Sequence, residues 1–142
     1  MSVDDDLVHE IRSCLGPQQY IYFATVEGDQ PRVRPVTLVH FRKRLYIVTG
    51  SGDAKVMQLK KNPKTEFCLL LEKGGEKGTL RAECLASIVE DKKDKTDIFN
   101  EVSYVKEFYE SPEDPDYALI RLKPLGFEYM KPGEMQAAKV KL

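Results

Sequence analysis

The feature that most constrains the fold of this chain is a series of short segments with the periodicity of β-strands. In residues 79–90, every second residue from Leu80 to Ile88 is apolar, which is the pattern of a strand with one buried face. Six other segments are rich in aromatic and β-branched residues, namely residues 20–26, 32–41, 45–49, 65–71, 117–122 and 126–130. The first three have short connections, which favours an antiparallel meander. The last two, on either side of Pro124, are predicted to be separate strands that pair.

These segments predict a mainly β fold, a β-barrel of six or seven antiparallel strands with flanking helices. A β-rich chain of this length commonly closes its sheet, because closure removes the exposed edges. The 142 residues suit a single domain over residues 1–142, since domains commonly contain about 100–150 residues. Apolar residues at three- and four-residue spacing predict helices at residues 7–15, between Asp53 and Asn62, and within residues 92–109.

Composition and charge exclude several classes of function. The formal net charge of −1 at pH 7 gives no electrostatic reason to expect a nucleic acid or an anionic membrane as partner. No apolar run is long enough to span a bilayer, and the acidic N-terminal residues lack the pattern of a signal peptide. The three cysteines are widely spaced and form no Cys-x-x-Cys pair, which suits a reducing compartment. We therefore expect a cytoplasmic protein.

The residues that commonly carry catalysis are few. His9 and His40 are the only histidines, and neither has a companion at metal-ligand spacing, so no metal site is predicted. No serine lies in a Gly-x-Ser-x-Gly motif, which acyl-transfer enzymes often use. Cys68 and Cys84 lie within predicted strands, where thiols are commonly inert core residues. The sequence therefore indicates no catalytic nucleophile, acid or base.

Two features in the first half of the chain predict a phosphate site. Arg32 and Arg34 alternate with apolar residues, so both guanidinium groups should emerge on one face of a strand. Residues 49–55, Thr-Gly-Ser-Gly-Asp-Ala-Lys, form a glycine-rich turn that leads into a helix, where backbone N–H groups favour an anion. If the second and third strands pair, the arginines and this turn become near neighbours.

The same turn contributes side-chain donors. Lys55 adds a positive charge, and Thr49 and Ser51 supply hydroxyl groups. A second interpretation stays open, in which Asp53 is only the N-cap of the helix and the arginines cover a solvated strand face. The Asp53 carboxylate would also compete with a phosphate for the same donors.

The order and spacing of these segments resemble a known family. The sequences at residues 31–36 (Pro-Arg-Val-Arg-Pro-Val), 45–49 (Leu-Tyr-Ile-Val-Thr) and 55–59 (Lys-Val-Met-Gln-Leu), followed by Asn-Pro, resemble the pyridoxamine 5′-phosphate oxidase-like FMN-binding split barrels. The similarity is greatest to the short general-stress-protein branch. It covers about residues 20–90 of the chain, with a weaker similarity over residues 117–130.

The resemblance implies a homodimeric split β-barrel with FMN at the subunit interface. The positions that match FMN contacts of the family are Arg34, Pro35, Val36, Thr37, Val48, Thr49 and Lys55, with Lys55 at the position of the phosphate-binding lysine. Arg32 and Ser51 are added as helpers from the residue pattern itself. Independently, the apolar runs at residues 20–23 and 67–71 carry more apolar surface than a small barrel encloses, which also favours a dimer.

Three departures from the oxidase itself narrow the expected activity. The chain has Ala54 where the oxidase has an arginine before the phosphate lysine, and Val39 where the oxidase has a substrate-contacting lysine. It contains no tryptophan, although the oxidase has one in a C-terminal extension that closes over its substrate. We therefore expect an FMN-dependent oxidoreductase that acts on a small molecule or a nicotinamide donor, and not on pyridoxamine phosphate.

Three alternatives remain open from the sequence. The protein could bind FMN without turnover, as a stress protein that stores or senses the flavin. It could be a haem-binding split barrel, with His9 or His40 as the axial ligand. It could also be an oligonucleotide-binding barrel that uses Phe41, Arg42 and Arg44, although the net charge near zero and the lack of interleaved aromatic and basic residues oppose this.

Overall fold

The computed structural model describes residues 3–142, so Met1 and Ser2 of the predicted domain lie outside the described residues. Within this range the strands are β1 (Gln18–Glu27), β2 (Gln30–Phe41), β3 (Arg44–Gly50), β4 (Lys64–Lys73), β5 (Glu76–Ile88), β6 (Tyr117–Met130) and β7 (Ala138–Lys141). The helices are α1 (Val3–Ser13), α2 (Ala54–Lys61), α3 (Lys92–Glu101) and α4 (Val105–Phe108). None of the helices in this part of the chain is long and apolar enough to span a bilayer.

All strands pair antiparallel in one sheet of order β3-β2-β1-β4-β5-β6-β7, and β3 also pairs with β6. This second pairing closes the first six strands into a barrel. β6 pairs with β3 through residues 117–122 and with β7 through residues 126–129, while β5 runs along its other side. The predicted mainly β fold of six or seven antiparallel strands with flanking helices is confirmed.

β2 and β3 pair over only a short stretch, from Val39 opposite Tyr46 to Phe41 opposite Arg44. Beyond it, residues 30–38 of β2 pair with β1 alone and residues 47–50 of β3 pair with β6 alone. The barrel wall is therefore open between these two segments, and we call this gap the β2–β3 opening. The turn after β3 leads from the opening into α2.

Two apolar clusters lie on opposite sides of β3. Leu45 and Ile47 belong to the interior cluster of the barrel, to which α1 and α2 add Ile11 and Leu59. Tyr46 belongs to an outer cluster that α3 and α4 cover. β3 is therefore buried on both faces, which explains its unbroken run of apolar residues.

The C-terminal part of the sheet differs from the prediction in two ways. Residues 117–122 and 126–130 belong to one continuous strand, so the prediction of two paired strands around Pro124 was wrong. The register of β5 against β6 shifts beside this proline, and the extra residue, Leu125, forms a bulge that lets the strand continue. β7 has no counterpart in the prediction, because only Val140 of its four residues is buried.

The two leucines Leu119 and Leu125 of β6 allow a matched test of this packing. Leu119 is 0% exposed in the outer cluster, whereas Leu125 is 38% exposed at the bulge. We expect Leu119→Ala to lower the free energy of unfolding by about 2–5 kcal/mol, because it leaves a cavity in a packed core. Leu125→Ala should cost about 1 kcal/mol or less. Chemical denaturation measures both, and equal losses would contradict this placement of the outer cluster.

Candidate functional site

The predicted site residues surround the β2–β3 opening. They occupy residues 32–37 on β2, Val48 and Thr49 on β3, and then Ser51 and Lys55 in the turn and first turn of α2. They come together because the pairing of β2 with β3 ends before these residues, so that both strands border the same gap. The sequence pattern predicts that these residues become neighbours through pairing of β2 with β3. In the structure they face each other across the segment in which the two strands are not paired.

Arg34 connects β2 to α2. Its Nη2 donates a hydrogen bond to Gln58 Oε1 over 2.9 Å, and its Nη1 donates to the backbone carbonyl of Phe23 on β1 over 3.1 Å. The same Gln58 oxygen accepts from the hydroxyl of Thr25 over 2.6 Å. Lys55 precedes Gln58 by three residues and therefore lies on the same side of α2. The structure thus brings the charges of Arg34 and Lys55 to the same side of one short helix.

Arg32 emerges on the same face of β2 as Arg34, as predicted, but its partner is a carboxylate. Its Nη2 lies 2.8 Å from Oε1 of Glu27, and both side chains are about half exposed. The hydrogen bond and charge of Arg32 lower the pKa of Glu27. Arg34, by contrast, donates only to an amide and to backbone carbonyls. Its positive charge is therefore not balanced by these partners, and it remains able to attract an anion.

Asp53 gathers the other polar groups of the site. Its Oδ2 accepts a hydrogen bond from Thr49 Oγ1 over 2.5 Å and another from Lys55 Nζ over 3.0 Å. The Lys55 side chain is only 13% exposed, whereas that of Asp53 is 51% exposed. A largely covered ammonium group is thus held at the opening by a carboxylate that faces solvent.

The position of Asp53 at the start of α2 predicts a helix-capping role, which its side chain does not have. It is the N-cap of α2 and has the extended backbone typical of that position, but its side chain makes no capping hydrogen bond. Asp91, the N-cap of α3, does accept a hydrogen bond from the backbone N–H of Lys93 over 2.8 Å. The carboxylate of Asp53 is directed to Thr49 and Lys55 instead.

Ser51 anchors the turn. Its hydroxyl donates to the backbone carbonyl of Pro115 over 2.8 Å, and its backbone N–H donates to that of Asp116 over 2.9 Å. These contacts attach residues 50–53 to the loop before β6. The Ser51 hydroxyl, which was predicted as a phosphate donor, therefore stabilises the turn in this structure.

The remaining predicted residues border the opening from two faces. Val36 packs against the interior cluster of the barrel, and Val48 packs against the outer cluster beneath α3 and α4. Pro35 and Thr37 point to the outer face of the sheet, because they stand opposite two exposed tyrosines of β1. The opening is therefore lined by apolar groups around a polar end at Arg34 and Lys55.

Two further residues belong to this region. Gln58 is a buried amide that accepts from both Thr25 and Arg34. Tyr104, in the outer cluster with Val48, carries the one buried side-chain polar atom in residues 3–142 without a hydrogen-bond partner. Burial raises the pKa of Tyr104 to about 12, so its hydroxyl stays protonated at neutral pH. Neither residue has a clear signal in the sequence, because a Gln in a short helix and a Tyr in a periodic one are both compatible with packing roles.

The histidines lie apart from the opening. His40 is half-buried, with Nδ1 3.2 Å from the backbone carbonyl of Leu15, and His9 is exposed on α1. Across residues 3–142, no group of three or more His, Cys, Asp or Glu side chains lies close enough together to hold a metal ion.

Fold and geometry together define a split β-barrel with cationic side chains at the split. The sequence profile described as pyridoxamine 5′-phosphate oxidase matches residues 7–131, which is most of the chain. The protein therefore belongs to the pyridoxamine 5′-phosphate oxidase family. Among curated proteins, no sequence matches this chain.

Solved structures share this fold over nearly the whole chain. General stress protein 26 from Bacillus anthracis is 27% identical with a TM-score of 0.71, and the two chains cover each other completely. A NimC/NimA family protein from Clostridium acetobutylicum is 22% identical with a TM-score of 0.75, over 97% of this chain and 91% of that one. HutZ, a haem storage protein from Vibrio cholerae, is 16% identical with a TM-score of 0.65, over 91% and 96% of the respective chains. The last two establish the common fold only.

We expect Asp53 to titrate below the ordinary range of an aspartate. The hydrogen bond from Thr49, followed by that from Lys55, holds the pKa of its carboxyl group below the usual value. A carboxylate whose pKa is lowered by folding stabilises the native state above its unfolded pKa, and this stabilisation is lost as the pH falls through the folded pKa. Carboxyl ¹³C NMR should show a higher pKa in Thr49→Val and Lys55→Met. An unchanged pKa in both variants would contradict these contacts.

Proposed function

We propose that this protein binds FMN and acts as an oxidoreductase that moves electrons or hydride between the flavin and a small molecule. The observation that carries the proposal is the placement of Arg34 and Lys55 beside one opening in the barrel wall, with the hydroxyl of Thr49 in the same hydrogen-bonded group as Lys55. Membership of the pyridoxamine 5′-phosphate oxidase family, whose FMN-binding barrels the sequence resembles, supports the same ligand.

The donor set suits the phosphate group of FMN. A phosphate monoester carries close to two negative charges at neutral pH and is bound best by charged donors such as Arg and Lys. Arg34 and Lys55 supply two positive charges, and the acceptors that now surround Arg34 are neutral. Ala54 removes one cation relative to the oxidase, so we expect weaker retention of FMN than in that enzyme.

The surroundings of the opening suit the ring system of a flavin. Val48 and the outer cluster supply apolar surface on the β3 side, and Pro35 is exposed on the β2 side. Tyr104 adds a hydroxyl donor in the same cluster that has no partner within the described residues. Ligand sites of this class combine apolar walls with a few polar groups that fix orientation.

When bound, FMN supplies the redox chemistry, and the protein supplies binding and orientation. Arg34 and Lys55 would hold the phosphate group of FMN, and the apolar groups beside Val48 would contact its ring system. Gln58 positions Arg34 through the 2.9 Å hydrogen bond, so the binding charge is fixed before the ligand arrives. Such preorganisation lowers the entropy lost on binding. The proposal assigns no side chain as a catalytic acid or base.

We also propose that the protein is a homodimer with the FMN site at its interface. The outer apolar face, as we call it, consists of exposed or half-exposed side chains that the strand register places together: Tyr20, Tyr22, Val33, Pro35, Cys68 and Leu70. A contiguous exposed apolar patch commonly marks an interaction site. Because Pro35 belongs to the strand that borders the β2–β3 opening, a partner docked on this face would cover one side of the site.

Haem is a second candidate ligand. The haem storage protein HutZ shares the fold, and His40 offers a candidate axial ligand in this chain. A hydrogen bond between Nδ1 of His40 and the carbonyl of Leu15 would fix the tautomer that presents Nε2 as a ligand. His40 lies at the end of β2 away from Arg34, so the two ligands would use different residues.

The three cysteines are unpaired, which supports the expected cytoplasmic location.

Purified protein mixed with FMN should retain a flavin absorbance spectrum after desalting. We expect Arg34→Ala and Lys55→Ala each to weaken FMN binding by about 10- to 100-fold, because each removes a charged donor to the phosphate. Titration of FMN fluorescence measures the Kd. Arg44→Ala and Lys60→Ala are matched controls, since both residues are exposed cations on β3 and α2, and should leave the Kd unchanged.

The outcomes of this experiment separate the alternatives. Failure of the wild-type protein to retain any flavin would contradict the proposal. A Soret band on haem titration that is lost in His40→Ala would favour haem as the ligand. If FMN binds, bleaching of its absorbance by a reduced nicotinamide and recovery with an acceptor indicates an oxidoreductase. Absence of both changes with every donor tested would indicate a protein that only stores the flavin.

Charge placed on the outer apolar face should break the proposed dimer. We expect Tyr22→Arg and Leu70→Glu to convert it to monomer, because a buried interface would have to desolvate the new charge. Sedimentation velocity distinguishes the two states. Met135→Arg, at a 93% exposed loop position outside this face, is the control and should stay dimeric. A monomeric wild-type protein at micromolar concentration would rule the interface out.

A further inference from the structure

Asp53 is a carboxylate within a site whose other side chains suit an anion. Its Oδ2 takes hydrogen bonds from Thr49 Oγ1 and, over 3.0 Å, from Lys55 Nζ. A phosphate oxygen would use the same two donors, because both groups are anionic acceptors. Asp53 and a phosphate therefore cannot both occupy this position.

The carboxylate of Asp53 has a second possible set of hydrogen-bond donors, the backbone N–H groups at the start of α2. The backbone of Asp53, at φ −67° and ψ 146°, has the conformation of an N-cap, yet the side chain makes no capping hydrogen bond. Asp91 shows the alternative arrangement, because its carboxylate accepts from the backbone N–H two residues later. The half-exposed Asp53 side chain can reach the corresponding N–H groups of α2 by rotating about its own bonds. Such a rotation would release Thr49 and Lys55.

We infer that Asp53 is an internal competitor at this site: its carboxylate fills the anion position in the free protein, and a ligand that carries a phosphate must displace it to bind. This inference rests on the proposed function, in which the site takes FMN. In the bound state the phosphate receives the donors Thr49 and Lys55, and Asp53 caps α2, so both anions keep hydrogen-bond donors. Riboflavin has no phosphate and would leave Asp53 in its original contacts. Asp53 therefore lowers the affinity of the site for the phosphorylated flavin and leaves its affinity for the neutral one unchanged.

Asp53→Asn tests this competition, because it keeps the size of the side chain and removes the charge that holds Lys55. We expect FMN to bind about tenfold more tightly to this variant than to the wild type, while riboflavin binds equally to both. Asp91→Asn removes the same charge at the N-cap of α3 and should change neither the Kd of FMN nor that of riboflavin. Weaker FMN binding in Asp53→Asn would overturn the inference, since the carboxylate would then position Lys55 for the ligand.

A second readout separates this inference from the proposed function. Inorganic phosphate is titrated into the wild-type protein while the carboxyl ¹³C resonance of Asp53 is followed, which requires no flavin. If FMN does not bind but phosphate moves this resonance toward its position in Lys55→Met, the proposed function fails and the inference stands. If phosphate leaves the resonance unchanged, Asp53 is not displaced, and the inference fails whether or not FMN binds.

Discussion

β3 pairs with β6 from Leu45 to Gly50, but it pairs with β2 only as far as Tyr46. The edge of β3 that faces β6 is thus paired along almost its whole length, which closes the barrel there, whereas the edge that faces β2 is paired only at its start. The β2–β3 opening begins where the ladder between β2 and β3 ends. Burial of β3 on both faces holds it beside the opening, because its side chains pack alternately into the interior cluster and the outer cluster.

The opening concentrates charge because of how α2 enters the fold. α2 starts directly after the turn that ends β3, and Gln58 joins it to Arg34 on β2. Arg34 and Lys55 therefore lie on the same side of α2, although one belongs to β2 and the other to the helix that follows β3. Asp53 lowers the net charge of this group in the free protein. The same group of residues thus attracts an anion and contains a carboxylate that the anion must displace.

The periodicity of apolar residues predicts most of the fold. It fails where a tertiary contact determines how far a strand continues or where a side chain points. The alternation at residues 79–90 predicts β5 because side chains on a strand alternate between two faces. The continuity of β6 past Pro124 depends on a bulge against a neighbouring strand, which residue type alone does not reveal. Arg34 and Lys55 stand out by chemistry and spacing. Gln58 does not, because the direction in which an amide on a short helix points is set by what packs around it.

Binding of the ligand at the β2–β3 opening is tested most directly by amide ¹H–¹⁵N NMR during an FMN titration. This arrangement predicts that the largest shift changes lie in residues 34–37 and 48–55, which border the opening and the start of α2. Residues 138–141 of β7, on a separate part of the sheet, should change little. Shift changes centred on His40 or on β7, with none at residues 34–37 and 48–55, would contradict binding at the opening.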